Sequence, residues 1–305
     1  MILHKQLVTR DGQLDLLIPP GTQGAVVRAF QKMLNHCIQT GRIIYDEIAV
    51  DGIFGPQTQR AVQNINQNFT SGPFDDIMGL QTMRAVGMDP FFSMDASDHQ
   101  YSIDFKALTK LGVWRFYYKL TEGFDYKSKR ADRLVEATDA GMAVGGYHYG
   151  RPDLHSEVCD ALVELDNYRE EKERLTALGV KFRLPDAYDF EDGNKEDEDH
   201  NIDYFRRWAA GVDSPVLYTA KWAIDAFGNS RMNRVIEEFP GSQLWWAEYI
   251  RDHWMGGPQK VPALMTPPTM WQLTSSFTCN AVKRWNGEAA RIDVNLHWDC
   301  HEESC

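Results

Sequence analysis

Leu184-Pro185-Asp186-Ala187-Tyr188-Asp189-Phe190-Glu191-Asp192-Gly193 runs from apolar to acidic residues and stops at a glycine. Its aromatic and alternating residues predict a strand, in which successive side chains point to opposite faces. Asp189 and Glu191 then share a face with Phe190 turned away, their Cα atoms roughly 6 to 7 Å apart at a rise of about 3.3 Å per residue. At that spacing each charge resists ionisation of the other, so one carboxyl stays protonated near neutral pH beside an ionised neighbour. Acid-assisted cleavage of a glycosidic bond uses such a pair. A lone D-x-E also describes a solvated strand end, so the weight of the reading falls on the rest of the chain.

Outward from this stretch, strand-like and helix-like segments alternate. Strands are predicted at 91–97, 113–122, 143–150, 184–192, 215–220, 243–249, 270–275 and 290–296, and helices at 103–111, 128–140, 155–178, 203–210 and 223–239. Glycine-, proline- and polar-rich connections join the last three strands. The alternation implies a parallel sheet, and eight strands over about 215 residues predict a closed α/β barrel with five helices and a helix-poor final third. Chemistry in such barrels sits at the carboxyl ends of the strands. The first strand ends in Asp95-Ala96-Ser97-Asp98-His99-Gln100, the fourth in Asp189-Phe190-Glu191 and the eighth in Ile292-Asp293-Val294-Asn295. Because first and last strands are neighbours on closure, Asp95, Asp189, Glu191 and Asp293 are expected at one mouth. Tyr147, His148, Tyr149, Tyr218, Trp245, Trp246, Tyr249, Trp271 and Gln272 fall at equivalent strand ends. Carboxylates among flat amphipathic rings suit a saccharide, although about half of such rings must fill the barrel.

Before residue 88 the pattern is helical. Val26, Val27, Phe30, Met33 and Leu34 recur at helix spacing, and Val50-Asp51-Gly52-Ile53-Phe54-Gly55-Pro56-Gln57-Thr58 is a glycine-punctuated turn into a second helix with Ala61, Val62 and Ile65 inward. A third helix begins after Gly79, and Gly87-Met88-Asp89-Pro90 closes a small three-helix domain. The expected division is therefore 1–88 and 89–305.

Composition narrows the classes. A chain of 305 residues, 43% hydrophobic, has ample material for packed domains, and a net charge of -12 with no basic stripe argues against a general nucleic-acid binder. Residues 1–17 lack an apolar core of signal-peptide length, and no long apolar run predicts membrane insertion, so a cytosolic, soluble chain is expected. The five cysteines are scattered without C-x-x-C spacing, which disfavours structural zinc and a dense disulfide framework; Cys300 and Cys305, flanking His301, read as a reduced tail, with a metal or a disulfide there as the alternative. The acidic run 191–200 does not align with a calcium loop, and neither a phosphate loop nor a metalloprotease helix is present.

Two resemblances follow from these motifs. The run from Val50 to Val62 resembles the D-G-x-F-G-x-x-T-x-x-A-V signature of the small peptidoglycan-binding domain, which implies wall contact through Asp51, Gly52, Phe54, Gly55 and Thr58. The order D-x-S-x-x-Q, Lys119-Leu120-Thr121-Glu122-Gly123, Gly146-Tyr147-His148-Tyr149, Asp189-Phe190-Glu191, Leu217-Tyr218-Thr219, Trp245-Trp246-Ala247-Glu248-Tyr249, Trp271-Gln272 and Ile292-Asp293-Val294-Asn295 resembles the lysozymes of glycoside hydrolase family 25. That likeness spans nearly all of 91–298 and implies an irregular (β/α)5(β)3 TIM-like barrel that cuts the β-1,4 bond between N-acetylmuramic acid and N-acetylglucosamine. It makes Glu191 the proton donor and Asp189 the group that stabilises positive charge or orients the substrate's acetamido group. Asp95 and Asp293 would hold the site's hydrogen-bond network. Tyr147, Tyr218, Trp246 and Gln272 would line the groove, with His148, Tyr249, Lys119 and Glu122 also on the substrate. It implies no cofactor and no metal.

A wall-binding unit joined to such a hydrolase raises the local enzyme concentration at an insoluble substrate. The combination is expected to be a monomeric phage endolysin acting on bacterial peptidoglycan after storage in the host cytosol. A secreted antibacterial toxin with the same chemistry and a non-catalytic wall-binding protein are the competing expectations. The helix after the third strand, charged along its length, departs from the family pattern and leaves the groove wall on that side open.

Overall fold

The computed structural model describes residues 7–10, 13–70, 75–227, 229–249, 268–284, 286 and 288–300. The start of the expected leader-free segment, and His301 and Cys305, lie outside them. Contacts divide the chain into two compact units: one holds residues up to Phe92 together with those from Leu296 onward, and the other holds Ser93–Tyr249 and residues up to Asn295.

In the first unit, β1 (Leu7–Arg10) pairs antiparallel with β2 (Gln13–Leu16), a hairpin that hydrophobic periodicity did not signal. Three helices follow, α1 (Ala25–Gln39), α2 (Pro56–Phe69) and α3 (Leu80–Ala85). The apolar stripe of α1 is buried as its spacing requires, and α2 starts at Pro56, where a missing N–H has no helical partner to lose. Gln31 of α1 organises the intervening turn. Its Nε2 lies 2.9 Å from Asp51 Oδ1 and 3.1 Å from both the Ile53 carbonyl and Thr58 Oγ1, so its two N–H groups are shared among three acceptors, and its Oε1 accepts from the Gly52 amide at 2.7 Å. Gly52 takes a φ of 75°, the left-handed region where a side chain would be strained. Phe54 and Thr58 are buried, and Gly55 is the N-cap of α2. The motif residues expected to touch the wall are thus the turn's internal supports: Asp51 stays at the surface, but its carboxyl is turned to Gln31 and the Ile53 amide, and those bonds hold it below its usual value. Cys37 of α1 is disulfide-bonded, a pairing the scattered spacing did not indicate, whereas Cys159 is free and exposed.

The larger sheet is built from β3 (Met88–Ala96), β4 (Ser102–Ile103), β5 (Val113–Glu122), β6 (Tyr126–Lys127), β7 (Ala143–Tyr149), β8 (Ala187–Asp189), β9 (Val216–Ala220), β10 (Gln243–Ala247), β11 (Met270–Lys283) and β12 (Ala289–Cys300). Neighbours run β10-β9-β8-β7-β5-β3-β12-β11, and β11 pairs parallel with β10, so the ring closes into an α/β barrel. The short β4 and β6 pair with β11 and β5 outside the ring. Around it pack α4 (Phe105–Lys110), α5 (Leu134–Asp139), α6 (Ala161–Ala177), α7 (Glu198–Ala209), α8 (Lys221–Phe227) and α9 (Met232–Ile236).

Several boundaries differ from the sequence reading. The strand expected over 184–192 shrinks to Ala187–Asp189, since Pro185 has no N–H to give a ladder. Beyond it, the Phe190 amide donates to the Tyr218 carbonyl at 2.9 Å and Thr219 Oγ1 donates to the Phe190 carbonyl at 3.0 Å, which carries Glu191 past the strand end. The helix expected from 203 begins at Glu198, because Asp197 accepts the His200 amide at 2.8 Å as N-cap and the acidic Glu198 and Asp199 suit the positive end of the helix. That is the structural use of the acidic run. The helix expected over 155–178 is helical only from Ala161, after two short 3-10 turns.

Candidate active site

Strand register assembles the site. Tyr149 of β7 stands opposite Asp189 of β8, Asp189 opposite Tyr218 of β9, and Tyr218 opposite Trp245 of β10. These four side chains form one row along the inner wall, and all of them line a cleft of about 240 Å³. The cleft also takes in Asp95, Ser97, His99, Lys119, Tyr147, Glu191, Tyr249, Gln272 and Asp293. Below the row, Tyr117, Ala187 and Val216 pack as an apolar floor, joined by Met270 beside Trp245, with the Tyr117 and Trp245 rings 5.0 Å apart.

The four acids are thus gathered at one opening. Asp95 Oδ2 accepts from Asn295 Nδ2 at 2.8 Å and from Gln272 Nε2 at 3.4 Å, and its carboxyl hydrogen-bonds that of Asp293. Burial raises Asp95 to about 6 against those hydrogen bonds, while burial and then the charge of Asp95 push Asp293 well up. Two carboxyls bonded in this way share a proton. Burial, then the charge of Glu191, pushes Asp189 well above the carboxylate range, and Lys119 opposes. Glu191 is also raised, first by burial, with a Tyr218 hydroxyl bond pulling the other way. Mutual repulsion across the D-x-E spacing is therefore secondary to burial. Tyr218 Oη donates to Gln272 Oε1 at 2.9 Å, and Trp245 Nε1 donates to Asn295 Oδ1 at 3.0 Å, so the ring of acids is braced by neutral polar groups from β9 to β12.

Three expected substrate contacts fall elsewhere. His148 is fully buried on the outer side of β7, between Thr121 and Glu164 of α6, because strand alternation turns it away from Tyr147 and Tyr149. Trp246 is fully buried outside the cleft lining, and its neighbour Trp245 takes the groove position. Glu122 is not in the lining; it holds Lys119 on one side and Arg151 Nη1 at 3.1 Å on the other, and against the effect of burial these cations keep it below its usual value. Tyr147, Tyr218, Tyr249, Gln272 and Lys119 do line the cleft, with the Lys119 ammonium 4.5 Å from the Tyr149 ring centroid. Ser97, His99, Tyr149 and Trp245 join them without having been assigned a contact. Parity with Tyr147 was the available signal for Tyr149; choosing Trp245 over Trp246 needed the register with Tyr218.

Residues 94–282 match the model of glycosyl hydrolases family 25. The chain belongs to that family. It is 24% identical over 241 residues to lysozyme M1 of Streptomyces globisporus, covering 75% of this chain and 77% of that protein. It is 27% identical over 157 residues to the autolytic lysozyme of Clostridium acetobutylicum, covering 51% and 44%. Among solved structures, its fold is similar to the catalytic domain of endolysin ply40 from bacteriophage P40 of Listeria monocytogenes, with a TM-score of 0.52, 19% identity, and coverage of 71% of this chain and 95% of that one. This family 25 chain is a glycoside hydrolase, a lysozyme whose substrate is peptidoglycan.

Proposed function

We propose that this family 25 lysozyme cleaves the β-1,4 bond between N-acetylmuramic acid and N-acetylglucosamine, with Glu191 as proton donor to the leaving oxygen. The observation that carries the reading is that Glu191, beyond the end of β8, lies at the partly exposed side of a cleft whose other acids are Asp95, Asp189 and Asp293. Burial raises the Glu191 carboxyl, which favours the protonated form that a donor to the glycosidic oxygen needs. Asp189 lies deeper, with Lys119 favouring its ionised form, and as a carboxylate it stabilises the positive charge that grows at the sugar, directly or by polarising the substrate's acetamido group. The proton-sharing Asp95 and Asp293 keep the cleft's net charge low and its hydrogen bonds aligned. Mass spectrometry of digested peptidoglycan tests the bond: products ending in reducing muramic acid are expected, and products ending in reducing glucosamine would overturn the assignment.

The biological setting in this reading is a monomeric phage endolysin, released from the host cytoplasm to reach the wall. Likeness to a phage endolysin's catalytic domain and the D-G-x-F-G signature of the helical unit support it. Because the motif's Gly52, Phe54 and Thr58 are internal, wall contact would fall to the exposed neighbours Val50 and Ile53. A pull-down of the intact protein carrying Ile53→Asp on purified walls tests this; full retention would remove that surface from the account.

A further inference from the structure

Glu164 of α6 is 0% exposed, and no part of the reaction above uses it. Its Oε2 lies 2.8 Å from Nε2 of the equally buried His148, whose Nδ1 is 2.8 Å from Thr121 Oγ1 on β5. Both Glu164 oxygens also accept the Arg151 amide, at 3.2 and 3.4 Å, and His155 Nε2 is 3.4 Å from Oε1. Tyr188 of β8 and Tyr204 of α7 complete the titratable groups that feel its charge. A buried carboxylate is retained only where several donors compensate it. Here the donors belong to the segments that form one wall of the cleft.

The His148 and Arg151 contacts lead to lining residues. His148 sits between Tyr147 and Tyr149, so fixing its ring fixes the pleat that aims both tyrosines inward. Arg151, anchored by its amide, reaches Glu122 at 3.1 Å, and Glu122 holds Lys119 beside Asp189. Arg151 Nε is also 3.8 Å from Asp192, which accepts the Tyr149 hydroxyl at 2.9 Å. One helix turn further along α6, Asn167 Nδ2 donates to the Gly123 carbonyl at 3.0 Å.

We propose that Glu164 is a positioning residue of the cleft, setting Tyr147 and Tyr149 through His148, and Lys119 through Arg151 and Glu122. The charged helix α6 is thereby the brace behind the groove wall. The inference rests on the cleft being the glycan site, but not on which acid donates the proton.

The test compares Glu164→Gln, Thr121→Val and Glu171→Gln at a temperature where all are folded, using soluble uncrosslinked peptidoglycan chains. Glu171 is also buried on the same helix, but its carboxylate pairs with Arg174 at 2.7 Å rather than with a cleft segment. Glu164→Gln is expected to raise KM about fivefold and lower kcat about tenfold, a loss in keeping with small misplacements of binding groups. It also moves the alkaline limb of the pH profile upward, because Lys119 no longer favours the ionised acids. Thr121→Val, which frees His148 but not Arg151, shifts KM in the same direction by less and leaves the limb in place. Glu171→Gln lowers Tm without moving either. Wild-type KM in both Glu164→Gln and Thr121→Val, or a wild-type pH limb in Glu164→Gln, would overturn the proposal; if Glu164→Gln does not fold, the KM of Thr121→Val decides it. A Glu191→Gln protein that stays active would remove the donor assignment and leave this comparison intact.

Discussion

Asn295 Nδ2 donates to Asp95 Oδ2 at 2.8 Å, tying β12 to β3 across a separation of 200 residues. The bond joins the last strand of the barrel to the first at the level where the acids gather, and it opposes the burial that raises Asp95. Sequence proximity contributes nothing to this contact; ring closure makes it.

The raised acids carry a stability cost with a definite sign. Between pH 3.8 and about 6 the folded state holds the Asp95 proton that the unfolded chain releases, so stability falls as pH rises through that window. A displacement of this size corresponds to about 3 kcal/mol, shared with Asp293. Asp95→Asn is therefore expected to raise Tm at pH 7, to leave it near wild type at pH 4, and to reduce wall clearing. Equal Tm differences at both pH values would contradict the origin of the cost.

The alkaline limb of kcat/KM is expected above the ordinary carboxylate range, since the cleft acids are raised and the donor is active only while protonated. Glu191→Gln should lower kcat by about 10² to 10⁴ with the fold retained, the usual contribution of a general acid. Reducing-end release across a pH series, with circular dichroism on the same samples, reads both effects.

Adjacent tryptophans should separate by function. Trp245 lines the cleft, so Trp245→Phe is expected to raise KM several-fold with a modest change in stability. Trp246 is fully buried, and Trp246→Ala should cost about 3 to 5 kcal/mol, as large truncations in packed cores do. Urea unfolding beside steady-state kinetics checks the pair; the reverse pattern would mean that the register of β10 on β9 is wrong.

In the helical unit, Gln31 satisfies four partners around the Asp51–Thr58 turn. Gln31→Leu leaves the Gly52 amide and the Asp51 carboxylate short of partners and should destabilise the unit by about 2 to 4 kcal/mol. Hydrogen exchange should show faster opening of 50–58, while kinetics on soluble glycan fragments stay at wild-type values.

Much of this architecture is legible in the sequence. Alternating periodicity from residue 91 onward announced a barrel, because a parallel strand must bury both faces and needs a covering helix. Asp95, Asp189, Glu191 and Asp293 were readable as strand-end acids for the same reason. The charged stripe of α6 was not readable as an interior face: Glu164 and Asn167 resemble solvent-facing residues until their partners on β7 and in the loops after β5 and β7 are known, and Glu171 does so until its pairing with Arg174 is.

What the sequence determined by itself was local: which segments extend, which coil, and which acids fall at strand ends, since these follow from side-chain period and turn chemistry. Only the tertiary structure decided which tryptophan enters the cleft, that His148 faces α6, and that burial governs the acids. Facing and desolvation depend on strand register and on what packs behind each strand, and neither is a property of any one segment.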